Sequence, residues 1–176
     1  MIKLNSDVRK ILQKSWLWLI IIVASVGIWL LAFYWASQPS SKVSFEVWVG
    51  AEDKLVDDSL SAQLETICTD YGMKRFSVNN YNPDDYFYPQ AFALQSRSVE
   101  IFILHKDEAL TIAEVGIFRV LGERYNGDNT LEYNGEVIGV QFVGDYYVLI
   151  NDTIKKDSEL LLAVLDKIVN YEVNNG

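Results

Sequence analysis

The chain has 176 residues, half of them hydrophobic, with 24 acidic side chains against 15 basic ones and a net charge of −9. That length holds one domain plus an appendage, and the acidic balance argues against nucleic acid as a partner. Cys68 is the only cysteine and His105 the only histidine, which excludes an intramolecular disulfide and leaves too few ligands for a zinc site.

No charged residue occurs between Lys14 and Lys42, and residues 16–36 within this gap form a run of 21 interrupted only by Ser25, Gly27 and Tyr34. A bilayer core of about 30 Å needs about 20 helical residues. Because the helix satisfies its own backbone, the run predicts a single transmembrane helix. Trp16 and Trp18 at one end and Tyr34 and Trp35 at the other suit the two headgroup levels. Residues 1–15 carry Lys3, Arg9, Lys10 and Lys14 against Asp7, a balance of +3, which leaves −12 for everything after them. Positive flanks stay cytoplasmic, so 1–15 read as a cytoplasmic tail, 37–42 as a short linker and 43–176 as an extracytoplasmic domain. A cleaved signal peptide is the competing reading. Its apolar core is normally shorter and ends in a small-x-small site, a pattern that Tyr34-Trp35-Ala36 and Ala36-Ser37-Gln38 both fail.

Beyond the linker, strand and helix periods alternate. Residues 43–50 put Val43, Phe45, Val47 and Val49 on one face of a strand. Residues 55–72 space Leu60, Leu64, Ile67, Cys68 and Tyr71 as on one helix face, with Asp57 and Asp58 in the first turn and Gly72 as the stop. A strand is predicted over 74–81. Asn82 and Pro83 then resemble a helix start, but Pro89 means that the helix either kinks there or begins there and runs to about Arg97. Residues 99–105 are the most apolar run outside the membrane segment and read as a central strand, followed by a short helix over 107–116. Turn signals at 125–129 and 133–135 flank short strands. Strands over 136–142 and 146–151 follow, separated by Gly144-Asp145. Leu161, Val164, Leu165, Ile168 and Val169 stripe a last helix over 158–173, capped by Asp157 or Ser158. The order predicts an α/β fold, a mostly parallel open sheet with helices on its faces.

Residues 100–104, Gly116 to Leu121 and the hairpin from Tyr133 to Phe142 together resemble, in order and spacing, the extracellular solute-binding proteins of ABC importers, of the sugar-binding type. The likeness covers most of residues 44–151, with Glu100 standing where that family usually has an aspartate. Family members close two lobes on a solute, and this chain is similar to one lobe only. The resemblance implies a lobe of the periplasmic-binding-protein kind, with a small solute and a membrane permease as partners.

In open α/β sheets, ligands sit beyond the carboxyl ends of the strands. That selects Glu52 and Asp53 (with Gly50 and Ala51) after the first strand, Tyr81 and Asn82 after the second, and His105, Lys106, Asp107 and Glu108 after the third. The same residues also read as solvated loop charges and a helix cap. Aromatic side chains cluster at Tyr81, Tyr86, Phe87, Tyr88 and Phe92, with a second pair at Tyr146 and Tyr147. Asn151-Asp152-Thr153 matches a glycosylation sequon. No catalytic triad, metal set or phosphate loop is legible, so the expectation is a non-catalytic module without cofactor or metal. It is held to membrane lipid through residues 16–36. An accessory or scaffold subunit that uses the lobe for protein contact is the alternative.

Overall fold

The computed structural model describes residues 6–37, 41–85, 87–125 and 127–171. Parts of the basic tail and linker, Tyr86, one residue of the 125–129 turn and the end of the last predicted helix lie outside the described residues.

Helix α1 runs over Ser6–Ser37. Its segment Trp16–Phe33 has a mean hydropathy of 2.5 and is long and apolar enough to cross a membrane. The large apolar side chains along it are exposed.

The second unit is an α/β domain around one six-stranded sheet in the order β2-β1-β3-β6-β5-β4. Its strands are β1 (Ser44–Gly50), β2 (Arg75–Tyr81), β3 (Ile101–His105), β4 (Thr130–Tyr133), β5 (Glu136–Val143) and β6 (Tyr146–Ile150). β1 pairs in parallel with β2 and β3, whereas β3 with β6, β6 with β5, and β5 with β4 are antiparallel. The sheet is therefore mixed, which corrects the expectation of a mostly parallel one. The physical reason is local. Asn134-Gly135 and Gly144-Asp145 are two-residue connections, and so short a loop can join only antiparallel neighbours. Asn134 and Gly135 both hold a positive φ (54° and 82°), as a primed hairpin turn requires.

Alternation along each strand divides two cores. Phe45, Val47, Val49, Ile101, Ile103, Val148 and Ile150 face one side. Leu60, Leu64 and Cys68 of helix α2 (Asp58–Asp70) pack there with Leu161, Val164, Leu165 and Ile168 of helix α5 (Ser158–Val169). Trp48, Phe102, Leu104, Tyr147 and Leu149 face the other side. There they meet Tyr88 of helix α3 (Tyr88–Gln95) and Ala109 and Ala113 of helix α4 (Lys106–Ala113). Helices cover both faces, as the alternation of periods predicts.

The helix starts follow side-chain capping. The Asp57 carboxylate accepts from the Leu60 N–H at 2.7 Å, so Asp57 is the cap of α2 rather than a first-turn residue. Asp157 does the same for α5, accepting from Glu159 at 2.8 Å. Asn82 caps no helix; it accepts from the Asp84 N–H at 2.9 Å within a turn, and α3 starts at Tyr88 with Pro89 in its first turn. That resolves the two readings of Pro89 in favour of a late start. Asn151 is fully buried. Its amide donates to the carbonyls of Ser96 (2.6 Å) and Val99 (2.8 Å) while its oxygen accepts from Thr153, so the sequon asparagine is a structural clamp and cannot carry a glycan.

Candidate functional site

The carboxyl ends of β1 and β3 meet the start of β6, because β6 runs antiparallel and sets Tyr146 opposite His105. Gly50, at the end of β1, is what allows the elements to close up there. A Cβ on it would stand 2.5 Å from the Tyr88 hydroxyl, 2.9 Å from Leu104 Cδ2 and 3.4 Å from Glu108 Oε2. Only a residue without a side chain fits this approach.

Around Gly50 lies an unusual cluster. The hydroxyl of Tyr88, the indole N–H of Trp48 and Oε2 of Glu108 are all buried, and none closes a hydrogen bond of acceptable geometry. The ring of Trp48 is stacked on Tyr81 (centroids 3.9 Å apart) and meets Tyr88 and Phe92 edge-on at 5.7 and 5.6 Å. Burial raises the proton affinity of the Glu108 carboxyl, against the opposing pull of Tyr88 and His105. Burial also pushes the Tyr88 phenol up, and the nearby Glu108 carboxylate adds to that shift. A groove of about 480 Å³ opens beside the cluster, lined by Pro83, Tyr88, Pro89, Phe92, Asp107, Glu108, Thr111 and Ile112.

The eight residues predicted from the strand-end rule fall into four groups. Asp107 and Glu108 line this groove. Tyr81 is half-buried in the aromatic stack beneath it. His105 is the cap of α4: its Nδ1 accepts weakly from the Asp107 N–H at 3.5 Å, stands 3.9 Å from the Asp107 carboxylate, and the ring meets Tyr146 edge-on. Glu52, Asp53, Asn82 and Lys106 are exposed. Of these, Glu52 lines a separate groove of about 360 Å³ with Val56, Ser61 and Val78. Tyr146 links several of them electrically. Its phenol is raised by burial and then by the carboxylates of Glu108, Asp53 and Glu52.

The strand-end rule missed Trp48, Tyr88 and Phe92 as parts of the site. The aromatic cluster over 81–92 was the available signal, but sequence spacing does not say which rings face Glu108. A second polar centre, at the amino-terminal edge of the parallel strands, was missed too. Glu100 is 1% exposed, accepts from the Glu46 N–H at 2.7 Å and pairs with Lys156 Nζ at 3.5 Å. Lys156 also donates to the Ser44 carbonyl at 2.6 Å.

The described lining of the groove carries two carboxylates, a phenol and a threonine hydroxyl, and no Cys, Ser, His or Lys. The Cys68 thiol is buried on the opposite face and pushed up to about 12 by burial. Among the described residues, no group of three or more His, Cys, Asp or Glu could hold a metal ion. No known protein-family model matches the sequence, and no curated protein matches it either.

Proposed function

We propose that this chain is a single-pass membrane protein whose N-terminus is cytoplasmic and whose α/β domain is an extracytoplasmic, non-catalytic binding module. It would present a small solute at the carboxyl edge of its sheet and work beside a permease of the ABC importer kind. The observation that carries the reading is the groove at that edge. It joins an apolar lining to two carboxylates above a buried cluster of unpartnered polar atoms, and such a combination is the common form of a small-ligand site. The charge step from +3 before the apolar helix to −12 after it supports the topology. The likeness to one lobe of a sugar-binding solute-binding protein supports the permease.

Two outcomes are expected. Deleting residues 16–36 will move the chain from the carbonate-washed membrane fraction to the supernatant; retention in the membrane would overturn the anchor. The intact chain in lipid nanodiscs, screened with sugars and other small solutes by thermal shift, will gain several degrees with at least one class at millimolar concentration. No shift across the panel would end the solute-binding reading.

A specific observation favours a second reading, a scaffold subunit. Phe87, Leu94 and Val115 are 64, 79 and 75% exposed, large apolar side chains at the start of α3, within it and just after α4. Copurification of a stable membrane partner, lost on Leu94→Glu, would support that reading over the first.

A further inference from the structure

The two edges of the sheet carry opposite charge. At the amino edge of the parallel strands lie the segments 42–44, 73–75, 96–100 and 151–157. They hold Lys42, Lys74, Arg75, Arg97, Lys155 and Lys156 against three carboxylates, a balance of +3. At the carboxyl edge, segments 50–54, 81–85, 105–108 and 144–146 hold seven carboxylates against two lysines, a balance of −5. The three amino-edge carboxylates are engaged: Glu100 by Lys156 at 3.5 Å, Asp152 by Arg119 at 3.1 Å, and Asp157 as the cap of α5. Glu46, just inside β1, accepts from Asn79 and Ser98. All the cations but Lys156 are exposed. Lys42, Arg97, Lys155 and Lys156 line one groove of about 310 Å³ together with Ser98 and Thr153. A second observation concerns where this edge is attached. Lys42 ends the linker, six peptide steps after Ala36, the last residue of the apolar run. Such a stretch spans at most about 22 Å.

We propose that the amino edge of the domain docks on the anionic phospholipid surface of the bilayer that holds residues 16–36, with a headgroup phosphate in the groove lined by Lys42, Arg97 and Lys155. The inference rests on the reading of residues 16–36 as a membrane anchor and adds what the domain itself touches. Guanidinium, ammonium and hydroxyl groups are the donors that a phosphodiester accepts from. Basic residues close to a membrane segment are drawn to anionic headgroups within about a Debye length of the surface. The short tether keeps the surface at high effective concentration, so contacts too weak to hold a free domain suffice here. That tether also favours the lipid over a soluble anion as the occupant. The remainder of the domain is acidic and is repelled by the same surface, so one orientation is selected. It turns the carboxyl edge, with the groove beside Gly50, away from the bilayer.

The test is lysine footprinting of the intact chain in lipid nanodiscs, of phosphatidylcholine alone or with about a third phosphatidylglycerol, by amine acetylation and mass spectrometry. Lys42, Lys74 and Lys155 are expected to react about threefold or more slowly in the anionic discs than in the neutral ones. Lys54 and Lys106, exposed at the carboxyl edge, are expected to react equally in both. Raising sodium chloride to about 0.5 M is expected to abolish the difference, because it shortens the Debye length to a few ångströms. The double variant Arg97→Gln/Lys155→Gln alters exposed side chains only and is expected to return Lys42 and Lys74 to their rates in neutral discs. Equal rates in the two discs, slowing that includes Lys54 and Lys106 to the same degree, or unchanged protection in the double variant overturns the proposal. So does equal protection by inorganic phosphate in neutral discs, which would make the occupant a soluble anion. Carbonate extraction of the same chain from vesicles separates the two readings. A chain that is stripped off loses the anchor and the docking together, whereas a chain that resists extraction but shows no selective protection loses the docking alone.

Discussion

Replacing Lys156 with methionine will destabilise the domain by roughly 3–5 kcal/mol at pH 8, the usual cost of leaving one member of a buried ion pair without its partner. Methionine keeps the length and the apolar stem, so packing is nearly unchanged and the charge is what is lost. At pH 8 the Glu100 carboxylate then has no counter-charge and keeps only backbone N–H groups, that of Glu46 foremost, to hold its charge. At pH 5 the cost falls to about 1 kcal/mol, close to that of the missing hydrogen bond to Ser44, because Glu100 is then protonated. Urea unfolding followed by circular dichroism at the two pH values measures the difference; equal losses at both would refute the account. The native pair has its own pH dependence. Burial is the main cause that raises the Glu100 carboxyl from 4.5 to about 7, with the Glu46 N–H and Lys156 opposing it. Between those values the folded chain keeps a proton that the unfolded chain has released. Stability from this group is therefore full below the window and lost as pH rises through it, by roughly 3 kcal/mol in all. Glu100→Gln is expected to remove that slope.

Trp48→Ala will cost about 3–5 kcal/mol, the range for deleting a large aromatic side chain from a packed interior. Trp48 is fully buried, and its ring holds Tyr81, Tyr88 and Phe92 together under the groove. The same variant is expected to lose ligand binding, since the wall formed by Tyr88 and Phe92 loses its support. Trp48→Phe should cost well under half as much. It leaves a smaller void and removes an indole N–H that has no partner, so nothing is gained by keeping that donor buried. Denaturant melts of the three proteins rank these effects, and a Trp48→Phe variant as unstable as Trp48→Ala would show that the indole N–H matters to the fold.

Much of the architecture is legible in local pattern. The apolar run of α1, the alternation of β1 and the stripe of α5 each record burial in the element's own residues. The cap of α5 at Asp157 or Ser158 and the turn at Asn134-Gly135 are equally local, whereas Asp57 read as a first-turn residue and proved to be the cap of α2. The site was legible only in part. The strand-end rule finds Asp107 and Glu108, but it also admits Asn82 and Lys106, which face solvent and line none of the grooves described. It passes over Tyr88, because that residue lies on a helix whose start is obscured by two prolines.

The sequence by itself determined a membrane-length apolar helix, an acidic α/β domain after it, and which face of most elements is buried. Those features depend on residues within a few positions of one another. Only the tertiary structure decided that β6 enters the sheet beside β3, and that Gly50 admits Tyr88 and Glu108 into one cluster. It alone matched Glu100 to Lys156. Such pairings join residues far apart in the chain, so they depend on how strands and helices pack, and no local period records them.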